Sequence, residues 1–402
     1  MTQKLQIKER LLERGMNMAK TVKVPVKKEI WYWALRESQK DEDEILYRFP
    51  KIDKWIAGEE SPTFKELEKV ANYLKVPFGY MFLESPPKYD VMEIEFRSIN
   101  NKLPEMSKKL KDTIMEMDSR RKWMSDYRKG LGWEKLDAIV DFSNYKSGNI
   151  LDDALLAKKL LDLDDYWYDT VKSYDEAYNL IRDKLEEAGI LVMRNGVVGM
   201  NNWRRLDINE FRAFMLYDDV SPLIFINNND TKAGKIFSLI HECMHVLFEQ
   251  EDVFLDTDIN GEGELERYIN SMTAEVLMPQ AHIYRFWDRD GNTLDQIDEL
   301  SYKFKVSKLA LAIKLKDISL IDDKIVAKVR RESIENFEDR ETGSKGGDFY
   351  RTYDSRISPV FKEAVIRRAE MGELSYTYAF KLLGGIKGKT YDKLKKNLIY
   401  YG

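Results

Sequence analysis

Residues 233–250 read AGKIFSLIHECMHVLFEQ and contain the pattern H-E-x-x-H, with its imidazoles at His241 and His245. The 402-residue chain has three histidines, so two of the three lie four positions apart. On an α-helix, residues at i and i+4 share one face. Two imidazoles so placed can bind one Zn²⁺ at about 2.0–2.1 Å each. The spacing therefore predicts a helix that presents part of a zinc site.

Glu242 directly follows the first histidine, and its position predicts a catalytic role. Its carboxylate would stand beside the metal, where a general base can take a proton from water. Behind the histidines, an apolar stripe predicts contact with a core, and it consists of Ile236, Ile240, Cys243 and Leu247. We therefore expect the Cys243 side chain in the core. The alternative is a half-buried helix whose two histidines are only structural.

A catalytic zinc needs a third protein ligand, because such sites use three and leave one position for water. Residues 249–266 hold eight Asp or Glu and no Lys or Arg. Glu266 differs from most of these acids because it lies on a predicted helix, GELERYINSMTAEVLMP. Asn270 is one turn further on and faces the same way, so it could orient a ligand.

Three other residues compete with Glu266 for the role of third ligand. Glu262 and Glu264 are acids on the chain that leads into the predicted helix. His282 follows Pro279, and its ordinary interpretation is a surface histidine. The spacing of the residues alone leaves all three possibilities open.

Composition favours an intracellular globular protein. The single cysteine excludes an intramolecular disulfide, as in a reducing compartment. The first residues lack the apolar core of a signal peptide, and no run of about 18 apolar residues predicts a membrane span. Hydrophobic residues make up 43% of the chain and charged residues 34%. We therefore expect a cytoplasmic protein.

The N-terminal part of the chain predicts a domain of short helices. Residues 27–84 contain several short amphipathic segments. Thr63 with Glu66 three positions later predicts the capped start of one helix. Such closely spaced helices are typical of helix-turn-helix domains. The first domain, a basic arm followed by these helices, is predicted at residues 1–88.

The remaining chain predicts a helical connector at 89–150, a domain with a small sheet at 151–330 and a helical C-terminal unit at 345–402. In the middle domain, Asn195-Gly196 predicts the turn of a β-hairpin. Further strands precede the H-E-x-x-H helix. The fold class is therefore predicted as α+β, with an all-α domain before the mixed domain and a helical region after it.

Residues 174–285 resemble the ImmA/IrrE family of zinc metallo-endopeptidases. The resemblance rests on NNWRRLDINEFRAFMLYDDVSPLIFINNND, on IFSLIHECMHVLF and on ELERYINSMTAEVLMP. The family pattern E-x-x-x-N-x-x-x-A-E-x-L-x-P matches Glu266, Asn270, Ala274, Glu275, Leu277 and Pro279. The resemblance implies a zincin-like core of the gluzincin type, with one Zn²⁺ per chain held by His241, His245 and Glu266. Ile269 and Thr273 depart from residues common in the family, but these differences concern packing.

Residues 27–84 resemble Xre-like helix-turn-helix domains, which are fused to such peptidases in many bacteria and phages. The segment KIDKWIAGEESPT carries this resemblance. Together the two resemblances imply a cytosolic endopeptidase that cleaves a transcriptional repressor or related regulator in a stress, mobile-element or phage response. The substrate is expected to be a repressor or toxin encoded nearby. The alternative is an Xre-like DNA-binding regulator or toxin–antitoxin component whose zinc site is not used for proteolysis.

Charge distribution makes DNA binding through residues 1–84 a testable alternative. Residues 1–28 carry eight Lys or Arg against two Glu, a net charge of +6. Residues 26–84 carry ten Lys or Arg against twelve Asp or Glu, a net charge of −2. The candidates to enter a DNA groove are Lys51, Asp53 and Lys54, which are few for a DNA-binding surface.

Removal of residues 1–28 should weaken DNA binding more than replacement of Lys51 or Lys54. The expected reason is that counterion release by the basic arm dominates affinity, so binding should also fall steeply with salt. Electrophoretic shifts of the promoter DNA of the gene at several salt concentrations would measure both effects. If the full-length protein gives no salt-sensitive shift at low ionic strength, this domain instead binds protein.

Overall fold

The computed structural model describes residues 22–38, 40–86, 106–250, 263–338 and 355–401. Contacts divide the chain into two compact units, Met1–Glu93 and Ile94–Gly402. Most of the basic arm, the predicted boundary at residue 88 and the rival ligand Glu262 lie outside the described residues.

The first unit is built mainly from short helices around two tryptophans. These helices are α1 (Lys28–Ser38), α2 (Glu42–Arg48), α3 (Ile52–Ala57), α4 (Phe64–Leu74) and a 3₁₀ helix (Phe78–Phe82). Trp31 stacks on Trp55 with ring centroids 6.2 Å apart. Helix α4 begins with the predicted cap: the Thr63 hydroxyl accepts from the Glu66 N–H, and the Glu66 carboxylate accepts from the Thr63 N–H. Local sequence signals therefore determine where this helix begins.

The two candidate groove lysines of the first unit have an acidic neighbour. Lys51 and Lys54 lie 3.8 Å and 3.6 Å from the Glu60 carboxylate, measured from each Nζ. All three side chains are largely exposed, so each contact stabilises the fold little. The shared carboxylate nevertheless reduces the positive charge that these lysines present.

The second unit contains a mixed sheet and the remaining helices. Its first helices are α5 (Lys108–Gly130), α6 (Asp137–Tyr145), α7 (Ile150–Leu160) and α8 (Tyr174–Glu187). The strands are β1 (Leu191–Asn195), β2 (Val197–Val198), β3 (Asn201–Arg205), β4 (Ala213–Leu216) and β5 (Leu223–Asn227). They are followed by α9 (Lys232–Leu247), α10 (Glu264–Leu277), α11 (Gln280–Phe286), α12 (Thr293–Phe304) and α13 (Lys308–Asp317). The last helices are α14 (Asp323–Glu338), α15 (Pro359–Glu370), α16 (Tyr376–Leu382) and α17 (Gly388–Tyr401).

The strand pairing shows that the hairpin prediction at Asn195-Gly196 was wrong. Strand β1 pairs in parallel with β5, which also pairs antiparallel with β4, and β2 pairs with β3 in a separate ribbon. A tight hairpin turn of type I′ needs positive φ at both central residues. Neither Asn195 nor Gly196 has one. The Asn195 side chain instead donates to the Gly199 carbonyl and leads the chain into the ribbon.

Helices cover both faces of the three-stranded sheet. Alternate side chains along each strand point to opposite faces. One set joins the core formed with α8 and α9, and it includes Val192, Ala213, Met215, Ile224 and Ile226. The other set joins a core with residues of α5 and α15, and it includes Leu191, Met193, Phe214, Leu223 and Phe225. The segment predicted as a connector and the C-terminal unit therefore share one core with the sheet.

Glu186, at the end of α8, links this helix to the C-terminal helices. Its carboxylate accepts from the Val192 N–H at 3.3 Å and from the Val360 N–H at 3.4 Å. Burial raises the pKa of Glu186 to about 7, although hydrogen bonds to the carboxylate oppose this shift. The folded protein thus holds the Glu186 proton more tightly than the unfolded chain does.

Glu186→Gln should make the second unit more stable than the wild type at pH 8 but not at pH 5. Because the folded pKa is raised, the stabilising contribution of Glu186 is complete below the ordinary pKa of 4.5 and is lost as pH rises through about 7. Glutamine resembles the protonated acid and does not titrate. At about 1.4 kcal/mol per pKa unit, the difference should reach up to about 3 kcal/mol. Denaturant unfolding at both pH values measures it, and a difference independent of pH would contradict the assignment.

Candidate metal centre

Helix α9 is fixed where the sheet ends. Strand β5 stops at Asn227, and the Thr231 hydroxyl caps the helix by accepting from the Gly234 N–H at 3.0 Å. Asp230 packs so closely that a Cβ on Gly234 would lie 2.5 Å from its Oδ2. A side chain at this position would therefore displace Asp230, whose carboxylate Arg212 holds at 3.0 Å. The register of the helix relative to the sheet is determined at its first turn.

The helix brings the two predicted histidines together, and α10 adds Glu266. The Nε2 atoms of His241 and His245 lie 3.0 Å apart. Glu266 Oε1 is 3.1 Å from His241 Nε2, and Glu266 Oε2 is 3.4 Å from His245 Nε2. One ligand atom from each of the three residues lies within 4.8 Å of the others.

The spacing of these atoms fits a tetrahedral zinc ion. Ligand atoms at about 2.0–2.1 Å from a tetrahedral centre lie about 3.3–3.4 Å from one another. The three separations, 3.0, 3.1 and 3.4 Å, are close to that value, with one Glu266 oxygen facing each histidine. Two nitrogens and one carboxylate oxygen also form a donor set typical of catalytic zinc. The residues present therefore fit the ion without any rearrangement of the backbone.

Electrostatics favours the metal-binding protonation states of His245 and Glu266. Burial, with the neighbouring His241 as a smaller cause, lowers the pKa of His245 to about 3. Burial alone would raise the pKa of Glu266, but the hydrogen bond and charge of His241 hold it below the ordinary value. Ligands must be neutral imidazole and ionised carboxylate. These two shifts favour the forms of His245 and Glu266 that bind a cation.

Asn270 lies where the sequence analysis expects it, one turn after Glu266. Its Nδ2 donates to Glu266 Oε1 at 3.2 Å. Such a contact restricts the rotation of the carboxylate and keeps it aimed at the histidines. The assignment of Asn270 as an orienting residue therefore has a geometric basis.

The structure places Glu264 and His282, the other described candidates for the third ligand, away from the two histidines. Glu264 lies at the first turn of α10, outside the group of converging ligand atoms. The interpretation of His282 as a surface residue was wrong, because its side chain is buried. Tyr168 Oη lies 2.9 Å from its Nδ1, and Asp165 Oδ2 lies 3.1 Å from its Nε2. These two partners engage both ring nitrogens away from the histidine pair.

Glu242 and Cys243 are neighbours on α9 but have different expected roles, one catalytic and one in the core. Both side chains are fully buried. Cys243 belongs to the hydrophobic core, as the apolar stripe predicts, and burial raises the pKa of its thiol. Glu242 is a carboxylate in the interior next to the first histidine, where a purely structural helix would gain nothing from an acid.

The sequence analysis missed Phe237. Its ring stacks near that of His241, with centroids 6.2 Å apart and planes inclined by 22°. The signal was available, since Phe237 precedes His241 by one helical turn and so shares its face. The aromatic ring limits how the imidazole can turn.

Comparison with known families agrees with this geometry. Residues 185–316 match the family model Peptidase_M78, described as the IrrE N-terminal-like domain. The matched segment contains the sheet, α9 and α10. Comparison with curated proteins gives no match, and comparison with solved structures gives none either. The match supports the resemblance to the ImmA/IrrE family and indicates a metallopeptidase-type function for this segment of the chain.

Proposed function

We propose that this chain is a zinc-dependent endopeptidase in which His241, His245 and Glu266 hold one Zn²⁺ and Glu242 acts as general acid–base. The observation that carries the proposal is the convergence of three zinc-type donors, with the buried Glu242 next to His241 in the chain. The family match over residues 185–316 supports the same chemistry.

We assign each side chain of the centre a separate role in peptide hydrolysis. His241, His245 and Glu266 would hold a zinc ion, which would supply Lewis acidity for the scissile carbonyl and the attacking water. Glu242 takes a proton from that water and delivers it to the departing amine. Asn270 keeps the Glu266 carboxylate oriented through their 3.2 Å hydrogen bond. Glu242 is fully buried, so bulk water does not compete for its proton.

The proposed substrate is a cytoplasmic transcriptional repressor or related regulator, with a repressor or toxin encoded nearby as the first candidate. The resemblance to ImmA/IrrE peptidases supports this class of substrate. Among the described residues, no helix combines the length and apolarity needed to cross a bilayer.

The alternative is a DNA-binding regulator or toxin–antitoxin component that does not use the zinc site for proteolysis. The described part of the first unit gives it little support, because Glu60 lies beside both Lys51 and Lys54. A regulator of this kind would also have no need for a buried acid at position 242. The endopeptidase explains both histidines and Glu242 with one mechanism.

Glu266→Ala should remove zinc or weaken its binding strongly, because the site loses its only proposed oxygen ligand. Glu264→Ala is the matched control, since it removes the same side chain from the same turn of α10 and should retain about one zinc per chain. Elemental analysis of the purified variants measures both. Full zinc occupancy in Glu266→Ala would exclude this residue as a ligand.

Glu242→Gln should retain zinc and the fold but lose about 10²–10⁴-fold in peptidase turnover, since glutamine cannot accept or deliver the proton. The effect should appear in kcat more than in substrate binding, because the lost interaction belongs to the transition state. The measurement compares the level of the neighbouring repressor or toxin in cells under DNA damage or phage challenge. Glu264→Gln provides a control of equal charge change. Identical levels in wild type and a zinc-loaded Glu242→Gln variant would contradict the enzymatic proposal.

A further inference from the structure

The last helix of the chain, α17 (Gly388–Tyr401), lies in a segment with a high density of positive charge. Residues 381–396 read KLLGGIKGKTYDKLKK and contain six lysines and one aspartate, a net charge of +5. The whole chain has a net charge of −5, so this segment has the opposite sign to the protein that carries it. A basic patch of this kind concentrates polyanions at one place on the surface.

Packing against the C-terminal helices fixes which face of α17 meets water. Tyr391 and Leu394 lie in the core that these helices share with the sheet. The Tyr391 hydroxyl donates to Glu370 Oε1 at 3.0 Å, and Lys395 forms an ion pair with the same carboxylate. These contacts on one side of the helix determine its rotation.

The opposite side of α17 carries a row of exposed lysines, which we call the lysine stripe. The lysine stripe consists of Lys389, Lys393 and Lys396. These positions are related as i, i+4 and i+7, so the three side chains share one face of the helix. At 1.5 Å per residue the stripe extends over about 10 Å. It therefore presents a row of point charges to the solvent.

The glutamates of the C-terminal helices are engaged elsewhere and do not cancel this charge. Each has a basic partner: Glu363 pairs with Arg367, Glu370 with Lys395 and Glu373 with Arg368. In the described part of the chain, no carboxylate forms an ion pair with Lys389 or Lys396. Asp392 lies beside the stripe and is the one acid in the sequence of α17. The stripe thus retains a net positive charge.

This arrangement of lysines lowers the stability of the helix. Lys389 and Lys393 are like charges at i and i+4, a pairing that destabilises a helix. Lys389 also lies in the first turn, where the positive end of the helix dipole repels a cation. The fold gains nothing from this placement, whereas an anion bound along the stripe would offset both costs.

We propose that the lysine stripe binds the phosphate backbone of nucleic acid, without preference for base sequence. Lysine binds phosphate as a point charge, and phosphate contacts carry no sequence information directly. A protein partner fits less well, because protein interfaces are depleted in lysine and enriched in tryptophan, tyrosine and arginine. A membrane surface also fits less well, since membrane-bound helices insert apolar side chains, and Tyr391 and Leu394 are buried in the core.

The combined variant Lys389→Gln, Lys393→Gln, Lys396→Gln, made in the full-length chain, tests the proposal. Fluorescence anisotropy of a labelled DNA duplex of arbitrary sequence, at several salt concentrations, gives the slope of log K against log[salt]. Each phosphate contact contributes about 0.9 to this slope, so the slope of the variant should be shallower by about two to three. Lys393→Gln alone should change the slope by about one, and it remains informative if the combined variant does not fold.

Two controls separate charge from position. The variant Lys389→Arg, Lys393→Arg, Lys396→Arg keeps the charges of the stripe and should keep the wild-type slope. The variant Lys159→Gln, Lys324→Gln, Lys328→Gln removes the same charge from exposed lysines of α7 and α14 and should also keep it. Zinc content and the denaturant midpoint of unfolding should stay at wild-type values in every variant.

Three results would overturn the proposal: a wild-type slope in the glutamine variant of the stripe, an equal loss in the α7 and α14 control, or no binding of the duplex at low salt. Loss of binding to anionic lipid vesicles in the stripe variant, with DNA binding unchanged, would overturn it in favour of a membrane surface. None of these outcomes affects the proposed peptidase, because the stripe contains no residue of the metal centre.

Discussion

The burial of helix α9 between the sheet and α10 is the constraint on which the rest of the second unit depends. From Ser238 to Leu247 every side chain of this helix is buried, including both histidines and Glu242. The two imidazoles in such a place are costly unless they are bound or paired. Their cost is offset when they meet Glu266, and a cation at that point would bind His241, His245 and Glu266. The position of α10 therefore follows from the same requirement that selects the histidines.

The remainder of the fold fixes the position and the rotation of α9 relative to the sheet. Thr231, Asp230 and Gly234 fix its first turn, and the sheet supports its apolar side. The sheet lies between two helical layers, so neither face can shift without loss of packing. A catalytic centre needs donors placed to within a few tenths of an ångström. Rigid support from regular elements supplies this precision better than loops would.

Local patterns in the sequence were enough to place the candidate centre, and long-range pairing explains what they missed. The positions of His241, Glu242 and His245 follow from a helical spacing, and Glu266 and Asn270 follow from the next helix. The partner of β1, however, is β5, which lies about thirty residues later, and no local signal reports it. His282 was misassigned for the same reason, since Tyr168 and Asp165 reach it from distant chain. The packing of α5 and α15 on one face of the sheet also depends on contacts that span most of the unit.

The packing of α15 on one face of the sheet determines when that face is covered during synthesis. Chains emerge from the ribosome N-terminus first, at about 5–20 residues per second. Strand β5 is complete at Asn227, but α15, which packs over the same sheet face, begins only at Pro359. For many seconds the aromatic surface of Phe214 and Phe225 lacks its final cover, so it is open to chaperones and to mispairing with other nascent chains. The helix that carries His241 and His245 can thus form on one face of the sheet well before the other face is closed.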